Sequence, residues 1–139
     1  MKIQDYTEEL INLRRHFHQY PELALQEVET SAYIRIYLEK LGYTVTAVEP
    51  TGLIAELPCL KKREKLIILR AEMDALPIQE QTGLPYASVN QGCMHACGHD
   101  MILAAALILA KIVAEEQETF PVRMRFLFEP AEEIGEGAK

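Results

Sequence analysis

The chain has 139 residues, of which 49% are hydrophobic and 25% charged, and its 14 basic and 21 acidic side chains give a formal net charge of −7. This length suits one domain with a sizeable core, and the negative charge argues against nucleic acid as a partner.

The first residues, MKIQDYTEEL, lack the apolar block of a signal peptide, and the apolar run from Met101 to Ala110 is too short to span a bilayer, so we expect no membrane association. Three cysteines without a disulfide-framework spacing predict a reducing, cytoplasmic setting. The basic cluster Lys61–Arg63 is interpreted as a solvated turn.

The first part of the sequence predicts two amphipathic helices. Asp5 and Glu8 form a capping-box pattern, and apolar residues then recur at helical spacing, so we expect a helix over residues 6–19. A second helix is predicted over residues 27–41. Gly42 follows it in the position where a left-handed C-cap is expected.

Runs of β-branched and apolar residues predict four strands. The segments 43–48 (YTVTAV) and 53–57 are separated by a turn containing Pro50 and Gly52. Residues 66–69 (LIIL) form the continuous apolar run that is typical of a strand covered on both faces. Residues 122–128 (VRMRFLF) alternate well enough to predict a further strand.

The rest of the pattern determines the expected fold class. Residues 78–92 show no periodicity, and a loop of this length inside a compact domain is usually functional. Residues 101–116 are apolar on almost every side over their first turns, which predicts a helix inside the core. Helices and strands in this succession predict an α/β fold, layered α/β/α with a largely parallel central sheet.

Residues with metal-binding chemistry occur at three separate places. Asp74 follows the strand predicted over residues 66–69, and Glu132 and Glu133 follow the last strand. Cys97 and His99 lie at the entry to the apolar helix. Sites in open sheets form beyond the carboxyl ends of strands, and thiolate, imidazole and carboxylate groups bind zinc and manganese-like ions. We therefore expect these residues to gather at one metal site.

Each residue type suits a particular task at such a site. The positive end of the helix dipole lowers the pKa of a thiol and so favours the thiolate that a metal requires. Glu132 and Glu133 are adjacent and point in different directions on regular backbone, which suits one as a ligand and the other as a general base for a metal-activated water. Asp74 is expected to orient a ligand.

Other interpretations remain open at this point. Adjacent glutamates can simply complement the dipole of a helix first turn, and an aspartate before Ala75 can form a turn. A second hypothesis is a structural zinc module in which Cys93, His95, Cys97 and His99 close a tetrahedral site, although such sites usually draw on separated pairs. A third is a non-catalytic protein that binds metal weakly and does not turn over.

The chain resembles the N-terminal part of the aminoacylase/carboxypeptidase family of metal-dependent hydrolases. Within that family it is most similar to the branch of hippurate hydrolases, N-acyl-amino-acid amidohydrolases and plant auxin-conjugate hydrolases. The similar stretches occur in order along the sequence: Arg14–Arg15 with His18, 21–23 (PEL), Glu27 with Thr30, 51–53 (TGL), 69–88 (LRAEMDALPIQEQTGLPYAS), 94–100 (MHACGHD) and 128–133 (FEPAEE).

The resemblance implies a two-metal amidohydrolase that cleaves the amide bond of N-acyl amino acids, hippurate-like or related. It implies two divalent ions per full-length site, which could be zinc, manganese, cobalt or nickel. Cys97, at the bridging position, His99 and Glu133 match metal ligands of the branch. Glu132 matches the general base, and Asp74 matches the aspartate that supports the site.

The resemblance also carries an expectation about length. The family places at least one further metal-binding histidine and a smaller lid domain, used for dimerisation, beyond the stretches that match. We therefore expect residues 1–139 to be the N-terminal portion of a catalytic domain without its lid, and the full-length form to be a homodimer. The chain alone is expected to be incomplete, and its activity is left open at this point.

Overall fold

The structure, a computed structural model, describes residues 3–58 and 64–138. The predicted turn at Lys61–Arg63 lies outside these residues. The helices are α1 (Thr7–Gln19), α2 (Val28–Lys40) and α3 (His99–Glu115); the strands are β1 (Thr44–Val48), β2 (Gly52–Glu56), β3 (Leu66–Glu72) and β4 (Arg123–Glu129); and short 3₁₀ turns cover Ile3–Tyr6 and Glu132–Ile134. Within the described ranges, no helix has both the length and the apolar character needed to cross a membrane.

The strands form one mixed sheet in the order β1-β2-β4-β3. β1 pairs with β2 and β2 pairs with β4 in antiparallel orientation, whereas β3 and β4 are parallel. The α/β prediction is confirmed, but the sheet is mixed and not largely parallel. A tight turn joins β1 to β2, so these two strands must run antiparallel. The second antiparallel pairing, of β2 with β4, joins strands that are distant in the sequence.

The helices pack against one face of the sheet. The register places Ala55, Phe126 and Leu69 side by side on this face, and Phe126 is fully buried. The Tyr43 hydroxyl donates a hydrogen bond of 2.8 Å to the carbonyl of Ala110 in α3, which ties the helix layer to the sheet. On the opposite face Ile68 is 54% exposed, and no helix of the described ranges covers it, so the α/β/α layering is present here on one side only.

The ends of the elements show which local predictions hold. The capping-box prediction is wrong, because Asp5 lies in the 3₁₀ turn and the N-cap of α1 is Tyr6, with no side-chain cap hydrogen bond. Gly42 has φ +89° just beyond α2, as the predicted left-handed C-cap requires. β3 continues beyond residue 69 because its parallel pairing with β4 extends to Glu72 opposite Glu129.

The loop over residues 78–92 contains no helix or strand, as predicted. It is attached to the end of α1 and the segment that follows. The Val89 N–H donates to the carbonyl of Gln19 at 2.9 Å, and the Asn90 amide donates to the carbonyl of Pro21 at 2.8 Å. These contacts keep the loop close to the residues that lead into α3.

Candidate metal centre

Three segments bring the predicted site residues to one edge of the sheet. Asp74 lies just past the carboxyl end of β3, and Glu132 and Glu133 begin the 3₁₀ turn just past the end of the parallel neighbour β4. Cys97 precedes Gly98, whose φ of +92° turns the chain sharply into α3 at His99. The structure thus places Asp74, Glu132 and Glu133 just past strand ends, and Cys97 and His99 reach the same edge from the start of α3.

The donor atoms of three of these residues form a compact cluster. The Cys97 sulfur, a ring nitrogen of His99 and a carboxylate oxygen of Glu133 lie within 4.8 Å of one another. His99 Nδ1 is 2.9 Å from the carbonyl oxygen of Asp74, which can only accept, so Nδ1 donates and Nε2 is the ring nitrogen left for a metal ion. Sulfur, imidazole nitrogen and carboxylate oxygen form a donor set that suits a divalent ion such as zinc or cobalt.

The carboxylate of Asp74 holds the turn that carries the two glutamates. It is fully buried, and its two oxygens accept the N–H groups of Glu132 at 3.1 Å and Glu133 at 2.9 Å. Its main-chain carbonyl meanwhile fixes the ring of His99. Asp74 therefore orients groups on both sides of the cluster, and it does so through backbone contacts that the sequence did not indicate.

A second buried carboxylate supports the same turn. Ala131 precedes the glutamates with φ +53°, and its N–H donates to Glu27 at 2.8 Å. Glu27 is fully buried and also accepts the Thr51 hydroxyl at 2.7 Å. The sequence analysis assigned Glu27 no role, although both Glu27 and Thr51 lie in the stretches that resemble the hydrolase family.

The charges around the cluster favour a cation. Burial lowers the pKa of His99, but hydrogen bonds with Cys97 and with the Asp74 carbonyl outweigh it and raise this pKa to about 9. Nε2 of His99 lies 3.7 Å from Glu132 and 3.9 Å from Glu133. On the outer side, an Arg70 nitrogen lies 3.9 Å from Glu132. Acidic groups thus lie close to His99, and one arginine nitrogen lies near Glu132, the glutamate with the more exposed side chain.

A buried ionic network fixes the start of α3 behind the cluster. Asp100, the residue after His99, forms an ion pair with Arg14, whose Nε lies 2.8 Å away, and accepts a hydrogen bond from His18 Nδ1 at 2.7 Å. The other ring nitrogen of His18 lies 3.1 Å from Glu80 in the long loop. This network joins α1, the loop and α3, and the sequence indicated it only through the stretches in which its members lie.

The structural zinc hypothesis receives no support from the geometry. In residues 3–58 and 64–138, the potential metal cluster contains Cys97 and His99 but neither Cys93 nor His95. Cys93 is buried with its sulfur 3.4 Å from the carbonyl of Pro21, and both ring nitrogens of His95 are buried without a hydrogen-bond partner. The four residues therefore do not converge on one point.

The structure defines a class of protein: an α/β protein in which a cysteine sulfur, an imidazole and a carboxylate cluster at one edge of the sheet. Residues 68–139 match the model of peptidase family M20/M25/M40. The chain belongs to this family, and the resemblance stated from the sequence is confirmed.

Similar proteins include bacterial deacetylases and a metallopeptidase. The chain is 48% identical over 140 residues to an N-acetyl-L-cysteine deacetylase of Bacillus subtilis and 42% identical over 139 residues to an N-acetyldiaminopimelate deacetylase of Limosilactobacillus reuteri. It covers 33% and 35% of their lengths, and they cover 99% and 95% of this chain. A dinuclear metal-binding peptidase of the M20 family from Bacillus subtilis superposes with a TM-score of 0.89 at 43% identity, over 99% of this chain and 38% of that one. The chain thus spans about a third of the length of these curated relatives.

Proposed function

We propose that this chain is part of a metal-dependent hydrolase that cleaves the amide bond of N-acyl amino acids, and that residues 1–139 supply one portion of its catalytic domain. The observation that carries the proposal is the convergence of Cys97, His99 and Glu133 within 4.8 Å, with Glu132 beside them. The names of the two deacetylases favour N-acetylated amino acids within the wider class of N-acyl amino acids.

Cys97, His99 and Glu133 would hold a divalent ion: zinc, manganese, cobalt or nickel. When bound, such an ion polarises a carbonyl group and lowers the pKa of a coordinated water toward neutrality. The dinuclear neighbour supports two ions in the complete site, and the Cys97 sulfur would be one of their ligands. Asp74 keeps the ligands in place by holding His99 and the turn at Glu133.

Glu132 is the general base in this proposal. Its side chain is 37% exposed, more open than the 24% of Glu133, so it can reach an incoming water while Glu133 binds metal. Glu132 accepts a proton as the water oxygen bonds to the acyl carbon. It then delivers this proton to the amide nitrogen, which leaves as the free amine of the amino acid when the carbon–nitrogen bond breaks.

Metal binding tests the ligand set. Cobalt titration of the purified chain, followed by the absorbance of the cobalt–thiolate bond, should show one thiolate ligand. Cys97→Ser should abolish this absorbance and weaken cobalt binding at least about tenfold, whereas the control Cys93→Ser should leave both unchanged. Equal losses in both variants would instead support the structural zinc module.

Hydrolysis tests the reaction. The assay uses the full-length protein and measures free amine released from N-acetyl amino acids with added zinc, manganese, cobalt or nickel. Glu132→Gln should lower the rate about 10²- to 10⁴-fold while retaining the backbone hydrogen bond to Asp74, and Glu39→Gln on the exposed side of α2 is the matched control. Metal-independent hydrolysis, or an unchanged Glu132→Gln rate, would contradict the proposal.

A second candidate is a metal-binding protein without turnover. The clustered donor atoms of Cys97, His99 and Glu133 support metal binding by themselves, independently of any reaction. Tight cobalt binding that depends on Cys97, together with no hydrolysis of any N-acyl amino acid, would support it. Homodimerisation stays a prediction that light scattering can check.

A further inference from the structure

A groove of about 440 Å³ lies between α1 and α2. Its volume falls within the roughly 300–1,000 Å³ that small-molecule sites occupy. Its lining includes none of the residues of the candidate metal cluster. The groove is therefore a separate feature that the proposed hydrolysis does not explain.

Aromatic rings form much of its wall. His16 and Tyr33 stack with ring centroids 4.1 Å apart, and Tyr20 lies 5.2 Å from His16. Phe17 contacts Tyr33 edge-on at 5.5 Å. Tyr20 is 47% exposed, so part of this aromatic surface is open to a ligand. The faces of aromatic rings carry negative potential and attract cations that come within about 6 Å of the ring centre.

The charged groups of the groove act in the same direction. Glu22 and Glu29 line it, and its described lining includes neither lysine nor arginine. Burial lowers the pKa of His16, so its ring is neutral near pH 7. By contrast, the ring of Tyr86 elsewhere on the surface already has an arginine over it, with the Arg15 guanidinium 4.9 Å away.

The hydrogen-bonding capacity of the groove indicates which kind of cation fits. The carboxylate of Glu22 already accepts the N–H groups of Glu29 and Thr30, at 3.2 and 2.7 Å. A primary ammonium needs three hydrogen-bond acceptors to replace its water, and the faces of aromatic rings do not supply them. A quaternary ammonium needs none, and aromatic faces are the surfaces that recognise it.

We propose that the groove between α1 and α2 binds a small organic cation of the quaternary ammonium type, held by the exposed ring of Tyr20 beside the stacked His16–Tyr33 pair and by the carboxylate of Glu29. The rings supply apolar contact and cation–π attraction, and Glu29 supplies the opposite charge at the rim.

A pair of probes with nearly the same shape separates charge from apolar contact. Choline and 3,3-dimethyl-1-butanol differ mainly in the replacement of the charged nitrogen by carbon, and ligand-observed NMR can follow the methyl resonance of each. With the full chain and with EDTA present to remove metal, choline should bind about tenfold more tightly than the neutral probe. Because metal is removed, this outcome is independent of whether the chain hydrolyses amides.

Variants locate the site. Tyr20→Leu should weaken choline binding about three- to tenfold, and Glu29→Gln should weaken it about threefold and reduce its dependence on salt. Tyr86→Leu is the control and should leave binding unchanged. Circular dichroism of each variant checks that it is folded.

Several results would overturn the proposal. Equal affinity for the two probes would mean an apolar groove without preference for charge, and a folded chain with choline affinity weaker than about 10 mM would mean no site. Undiminished choline binding in both Tyr20→Leu and Glu29→Gln would place the cation elsewhere. A loss of choline affinity in Tyr86→Leu as large as that in Tyr20→Leu would also place the cation elsewhere.

Discussion

The substitution Asp74→Asn tests whether the buried carboxylate holds the glutamate turn in place. Both oxygens of Asp74 accept backbone N–H groups, from Glu132 at 3.1 Å and from Glu133 at 2.9 Å. Asparagine keeps the size of the side chain but offers one acceptor oxygen, so its NH₂ group must face one of the two N–H donors. One charge-assisted hydrogen bond, worth about 1.5–3 kcal/mol, is lost and a buried donor is left unpaired. We expect the free energy of unfolding to fall by about 2–4 kcal/mol.

Urea unfolding followed by circular dichroism measures this change. The control is Glu39→Gln, which removes an exposed carboxylate 3.6 Å from Arg35 and should cost less than about 0.5 kcal/mol. Cobalt affinity should also fall about 10- to 100-fold in Asp74→Asn, because the turn that carries Glu133 loosens. A loss of stability with unchanged cobalt affinity would refute the positioning role, and an unchanged free energy of unfolding would refute the hydrogen-bond reasoning itself.

Two further predictions concern stability. Burial raises the pKa of Glu80, but hydrogen bonds, first that from the Ser88 N–H, outweigh it and lower this pKa below its usual 4.5. Glu80 therefore contributes to the free energy of unfolding above pH 4.5, and this contribution is lost as the pH falls through the lower pKa of the folded state. In Glu80→Gln the free energy of unfolding, measured with urea, should fall less steeply on acidification than in the wild type. Equal slopes in the two proteins would contradict this prediction. Tyr43→Phe removes the hydroxyl that donates to Ala110 at 2.8 Å and should lower the free energy of unfolding by about 1 kcal/mol, whereas no measurable loss would show that this hydrogen bond adds nothing.

Local sequence patterns were sufficient to find the predicted helices and strands. Helical periodicity and β-branched runs depend only on neighbouring residues, and both predicted α1 and β1 correctly. The partner of β2 could not be found in this way, because alternation shows which face of a strand is buried and not which strand lies beside it. The long-range pairing of β2 with β4 was therefore missed, and with it the mixed character of the sheet.

The candidate site also combines features that local sequence patterns reveal with features that only the fold reveals. The positions of Asp74 and Glu133 at strand ends could be predicted, because the carboxyl ends of parallel strands meet at one edge. The buried supporting carboxylates could not be recognised. Glu27 and Asp100 lie at the beginnings of helices, where acidic residues are common and usually solvated. Only the fold shows that each is buried and hydrogen-bonded to a distant segment.

The register of β3 against β4 connects the hydrophobic core to the metal cluster. Ala71 lies opposite Phe128 and both are fully buried, which fixes the two strands relative to one another. The pairing continues beyond β3, where the Met73 N–H donates to the carbonyl of Glu129 at 2.9 Å. A shift of one residue would turn Ala71 to the opposite face of the sheet and would move Asp74 away from the N–H groups of the turn at Glu132. The burial of these apolar side chains therefore determines where the carboxylate of Asp74 lies, and the geometry of the cluster depends on packing that contains no metal-binding residue.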